Sequence, residues 1–288
     1  MRLSIALVLA LAPVATAPAH GGAGAPHELL VLDPLVLGVM SLAALAYGAG
    51  VRRLWRVRTG HGVRPSQVAS FATGMALLAL ALIWPLDAAA DRSFAAHMAQ
   101  HLLLIALAPP LLVLGAPLAP LAAFAPVRRA LVAIPGARLA HPLAVFGAHG
   151  VVVWTWHAPA LFQAALRSPT VHALEHATML AAALLFWWML LPAGRAHAPT
   201  RGAGLLFLFL TMTHMGLLGA LLTFAPRTLY PAYGDRPPAF GLTPLEDQQL
   251  AGLIMWVPGG MIYLAAALAL AAAWLRDAER PGWAPPTS

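Results

Sequence analysis

A chain of 288 residues, 60% hydrophobic and only 9% charged, cannot clothe an aqueous surface, because soluble domains usually carry about 25% charged residues. With a mean hydropathy of +0.77, its length counts membrane spans rather than soluble domains. The net charge of +7 comes from arginine alone, in short loops between apolar runs, which marks topology and contact with anionic lipid rather than nucleic acid. The absence of cysteine removes disulfides, thiolate redox chemistry and thiolate metal ligation.

In chain order, Arg2, the apolar stretch Leu3 to Ala12 and Ala17-Pro18-Ala19 read as a signal peptide over 1–19. Cleavage there leaves His20 at the head of an exported tail, 20–33, rich in Gly, Ala and Pro. The new amine and imidazole of His20, with His27 nearby, are a minor candidate metal pair. Seven apolar runs follow, at 34–54, 66–86, 97–116, 142–161, 173–192, 203–224 and 249–275. Each is close to the ~20 residues that cross a bilayer core, and none alternates at period two, which argues against a barrel. The expected fold is all-α: a polytopic membrane bundle of seven transmembrane helices over 34–275, following a signal peptide.

Arginine orients this bundle. Arg52, Arg53, Arg56, Arg58 and Arg64 follow the first run; Arg128, Arg129 and Arg138 the third; Arg195 and Arg201 the fifth; Arg276 and Arg280 the seventh. The other side has only Arg92, Arg167, Arg227 and Arg236. The positive-inside rule therefore puts the N-terminus outside and the 276–288 tail in the cytoplasm. The loop 117–141 reads as a segment along the inner surface, and the Pro- and Gly-rich loop 226–248 as an exported docking surface ordered by turns.

This topology sorts the histidines by depth. His97 and His101 open the third run at the outer face, one helical turn apart on one side. His157 closes the fourth run there, and His172 and His176 open the fifth with the same spacing. His149 and His214 lie deeper. Ionisable residues inside spans are costly and face the bundle interior, so five histidines at one leaflet are the candidate metal ligands. Without thiolates, an exported His/Met set favours copper, with zinc as an alternative. Haem is a further alternative, which would need axial histidines around a wide cavity. Met179, three positions after His176, and His214 are lesser candidates, as apolar packing accounts for each methionine alone. Glu175 is expected behind the ligands, accepting a hydrogen bond that fixes a ligand tautomer. His172-Ala173-Leu174-Glu175-His176 also fits the H-x-x-E-H pattern of zinc proteases, in which the glutamate activates water.

The order of these motifs resembles the CtaG family of cytochrome c oxidase assembly proteins, the seven-span kind associated with caa-type oxidases. The resemblance runs from His97-Met98-Ala99-Gln100-His101-Leu102-Leu103 through Trp156-His157-Ala158-Pro159 and His172-Ala173-Leu174-Glu175-His176. It continues in Thr223-Phe224 and Leu229-Tyr230-Pro231, then in Thr243-Pro244-Leu245-Glu246-Asp247-Gln248-Gln249-Leu250-Ala251-Gly252 and Trp256-Val257-Pro258-Gly259-Gly260. It implies a non-enzymatic role in maturing a haem-copper oxidase in the bacterial cytoplasmic membrane, with oxidase subunits as partners. The copper reading stands on the histidines, not on the resemblance. An intramembrane zinc hydrolase and a haem-binding or scaffolding partner remain alternatives, and self-association stays open.

Overall fold

In a computed structural model, residues 33–133, 141–191, 199–234 and 240–279 are described. The signal-peptide reading, His20 and His27 lie outside them. The described residues form helices and turns, without a strand.

Most of the long helices start at a short polar residue, and several then place proline at the first helical position, where its missing N–H costs nothing. Asp33 caps α1 (Pro34–Trp55), accepting from the amides of Leu35 and Val36. α2 (Pro65–Leu82) and α3 (Leu86–Ala90) lead to α4 (Phe94–Leu102), where Ser93 Oγ accepts from Ala96 N at 3.2 Å. After α5 (Ala108–Leu114), α6 (Leu118–Leu121) and α7 (Ala125–Ala133) come α8 (Pro142–Trp156) and α9 (Pro159–Arg167). Ser168 caps α10 (Pro169–Leu190), Thr200 caps α11 (Arg201–Thr223), and Thr243 with Glu246 forms a capping box for α12 (Pro244–Ala278). The third, fifth and seventh runs thus start earlier than hydropathy alone places them, and α12 takes in the end of the loop expected to hold only turns.

Among the described residues, six segments are long and apolar enough to cross a membrane: Pro34–Trp55, Pro65–Ala90, Phe94–Leu114, Pro169–Leu190, Arg201–Thr223 and Pro244–Ala278. The chain is a multi-pass membrane protein. The expected fourth span, 142–161, is interrupted, for α8 has only 15 residues, about 22 Å against a core of about 30 Å. The cause is Pro159, which disfavours the helical region for the residue before it; Ala158 is extended, with ψ 128°. The chain turns there into α9.

The segment α4–α5 is the most buried of the six. Between its two helices Leu103–Leu107 form a π-helical turn, with Ala108 N donating to Leu103 O. Pro109 has no N–H for the Ile105 carbonyl four residues earlier, and Trp187 Nε1 donates to that oxygen at 2.9 Å. On its far side α12 crosses α11 at backbone contact: a Cβ on Gly252 would lie 2.5 Å from Gly219 O. Such small-residue crossings are how membrane helices approach closely. The two helices run antiparallel, so the C-terminus of α11 meets the N-terminus of α12 beside the N-terminus of α4.

Candidate metal centre

The N-termini of α4 and α10 and the C-terminus of α8 meet at one end of the bundle and bring His97, His101, His157, His172 and His176 together. The His97 and His101 rings are 4.5 Å apart. His176 lies 5.8 Å from His97 and 5.5 Å from His101. His172 lies 4.1 Å from His176 and 5.3 Å from His97, and His157 5.3 Å from His101. The i, i+4 spacing read from sequence is what stacks each pair on one helical face.

Among the described residues, His97, His101, Glu175 and His176 each offer a ligand atom such that all four lie within 4.8 Å of one another. Glu175 stands among these atoms rather than behind an imidazole. Its Oε1 is 3.6 Å from His101 Nε2 and its Oε2 is 3.8 Å from His97 Nε2. The carboxylate is fully buried, at 0% exposure, and neither oxygen has a hydrogen-bond partner among the described residues.

The tautomer-fixing groups lie elsewhere. Val153 O, a pure acceptor, is 2.7 Å from His157 Nδ1. The proton therefore sits on Nδ1, leaving a lone pair on Nε2 in the neutral ring. Tyr233 Oη donates its proton to Ala90 O at 3.0 Å and so accepts from His97 Nδ1–H at 3.1 Å. That assigns the lone pair of His97 to Nε2, 3.0 Å from His101 Nε2. Nε2 of His157, His172 and His176 is buried without a hydrogen-bond partner among the described residues. Buried polar groups are almost always hydrogen-bonded, so these nitrogens, with the two Glu175 oxygens, stand where they could ligate a cation.

A loop and an aromatic cage close this end of the bundle. Gln248 holds the loop by accepting from Leu229 N at 2.6 Å and donating to Arg227 O at 3.2 Å. This seats Tyr230 and Tyr233 against Phe94 and Phe162, and Phe162 packs on His97 at 4.9 Å. Tyr230 Oη donates to His157 O at 2.7 Å. Burial, with Glu175 nearby, pushes the Tyr230 phenol above its usual range. Asp247 accepts from Ser93 Oγ, Phe94 N and Ala95 N and so holds the first turn of α4.

Of the remaining sequence candidates, Met179 is buried one turn beyond His176. His214 is apart from the cluster: Trp154 Nε1 donates to its Nδ1 at 3.3 Å, and His149 lies 6.4 Å from it. Trp156, beside His157, is buried and donates to Thr178 Oγ1 at 2.8 Å. The site is also more enclosed than an open docking site: His176, at 8%, is the most exposed of its buried members, with His172 half-buried at the rim. Sequence reasoning missed Tyr230, Tyr233, Phe162, Ser93 and the role of Asp247. An acid followed by two glutamines at the head of an apolar helix was the available signal for the last.

Compared with known families, the chain matches the one described as cytochrome c oxidase caa3 assembly factor (Caa3_CtaG) over residues 45–277. It matches no curated protein and no solved structure.

Proposed function

The chain belongs to the cytochrome c oxidase caa3 assembly factors, and from that premise we propose that it holds copper in the histidine cluster and passes it to an oxidase subunit at the outer face of the bacterial cytoplasmic membrane. The observation that carries the copper is the convergence of His97, His101, Glu175 and His176 within 4.8 Å. Imidazole is a good ligand for copper, and ligand bonds of about 2 Å need only a small contraction of the cluster. The rings pack on one another and on Phe162, which suits an ion better than the flat macrocycle of haem. Arginine placement supports the outer-face assignment through the positive-inside rule. Metal analysis of the purified full chain after copper loading tests the reading: bound copper is expected, and its loss in a His101→Ala, His176→Ala double variant. Copper content unchanged in that variant would overturn the site.

The Glu175 carboxylate, close to two imidazole nitrogens and without a hydrogen-bond partner among the described residues, also favours a second reading, a zinc-dependent hydrolase in which it activates water. Glu175→Gln separates the two. A hydrolase keeps zinc and loses turnover of a peptide substrate, whereas a copper carrier shows no turnover in either form.

A further inference from the structure

The centre has more donors than one ion uses. A four-coordinate ion is satisfied by His97, His101, Glu175 and His176, the set within 4.8 Å. His157 and His172 fall outside that set, yet each presents a buried Nε2 with no partner among the described residues. In His157 that nitrogen is a lone pair, because Nδ1–H is committed to Val153 O. One ion would leave two such groups unmatched in the interior of a membrane bundle, where an unpaired polar group is expensive. The two extra imidazoles also flank different members of the set: His157 lies beside His101, at 5.3 Å, and His172 beside His97, at 5.3 Å. The Glu175 carboxylate divides in the same sense, Oε1 toward His101 at 3.6 Å and Oε2 toward His97 at 3.8 Å.

We propose that the cluster is a two-copper centre bridged by Glu175. One ion lies between His101 and His157 on Oε1, and the other between His97 and His172 on Oε2. His176, 5.5 Å from the His101 ring and 5.8 Å from His97, can complete either. The arrangement uses Nε2 of His157, His172 and His176 and both Glu175 oxygens, none of which has a hydrogen-bond partner among the described residues, and two-metal sites hold their ions about 3.5–4 Å apart. The half-buried His172 ligates the ion nearer the surface, which is the one positioned to leave first. This inference rests on the copper reading above.

The test is the copper-to-protein ratio of the full chain in detergent, loaded with Cu(I) and freed of excess, together with X-ray absorption at the copper edge. Two equivalents and a copper–copper distance of about 3.5–4 Å are expected. His157→Ala and His172→Ala should each retain one equivalent and lose the copper–copper signal. One equivalent in the unaltered chain, or two without a short copper–copper distance, overturns the two-ion centre and leaves the copper reading intact. No copper at all overturns that reading itself. If either variant fails to fold, the unaltered chain still decides. A second equivalent lost in His149→Ala or His214→Ala instead would place it elsewhere and also overturn the proposal.

Discussion

Asp247, at the head of α12, accepts the Ser93 hydroxyl at 2.7 Å. The same carboxylate accepts from Phe94 N at 2.6 Å and Ala95 N at 3.1 Å. An anion thus sits at the N-terminus of the helix that carries His97 and His101, where unpaired amides and the helix dipole favour it. The last helix of the bundle thereby fixes the register of the site helix. Asp247→Ala removes an acceptor from three donors at once, and leaving buried donors unsatisfied costs about 1–3 kcal/mol. Thermal unfolding in detergent should show that loss, together with weaker metal retention. Asp247→Asn, which keeps one acceptor oxygen, should lie between. Equal stability of Asp247→Ala and the unaltered chain would refute the capping role.

The crossing of α11 and α12 gives a second prediction. A Cβ on Gly252 would meet Gly219 O at 2.5 Å and Thr223 N at 2.6 Å. These are backbone atoms, so the helices must separate. Gly252→Ala is expected to lower stability by about 1–3 kcal/mol, as overpacking does. Gly147→Ala, in the interior of α8 with nothing within 4 Å, should be neutral or stabilising by about 0.5–1 kcal/mol. Comparing the two unfolding midpoints tests the close approach, and a similar shift in both would exclude it.

How much of this was legible in sequence depends on how local the signal is. Histidine spacing is local, and the i, i+4 pairs fell on one face as helix geometry requires. Helix starts were misplaced because hydropathy ignores caps: Ser93, Ser168 and Thr243 begin their helices before the apolar residues accumulate. The interruption at Ala158 was written in Pro159 but hidden by the apolar run around it. The position of Glu175 was not legible, since whether a carboxylate stands among ligands or behind them depends on helix rotation. Tyr233 was invisible for a different reason. It reaches His97 from a position 136 residues away, and no periodicity encodes that contact.

Glu175 yields the next prediction. Its two oxygens lie 3.6 and 3.8 Å from imidazole nitrogens of His101 and His97, so an amide in its place loses the negative charge while keeping the shape. Glu175→Gln is expected to bind copper more weakly by at least about 10-fold, since even loss of a group that only orients a ligand typically costs 10–100-fold. Competition with a copper chelator of known affinity measures it. Unchanged affinity would remove Glu175 from the centre.

Tyr233 provides the last. Its hydroxyl proton goes to Ala90 O, so its oxygen accepts from His97 Nδ1–H, and that fixes the lone pair of His97 on Nε2, facing His101 and Glu175. In Tyr233→Phe the ring still fills its place against Phe94, but His97 loses the acceptor that selects its tautomer. The ring then populates both tautomers, and in one of them a proton occupies the nitrogen that should bind metal. Loss of such an orienting partner typically costs 10–100-fold in metal affinity, so a drop of about 10-fold is expected in the same chelator competition, with the thermal midpoint of the metal-free chain changing little. A large fall in that midpoint would mean that the hydroxyl serves packing of the loop that Gln248 holds instead. Tyr230→Phe is the control: its hydroxyl donates to a backbone carbonyl of His157 and touches no ligand nitrogen, so its removal should leave copper affinity near that of the unaltered chain. Equal losses in both variants would assign the effect to the loop as a whole rather than to the His97 tautomer.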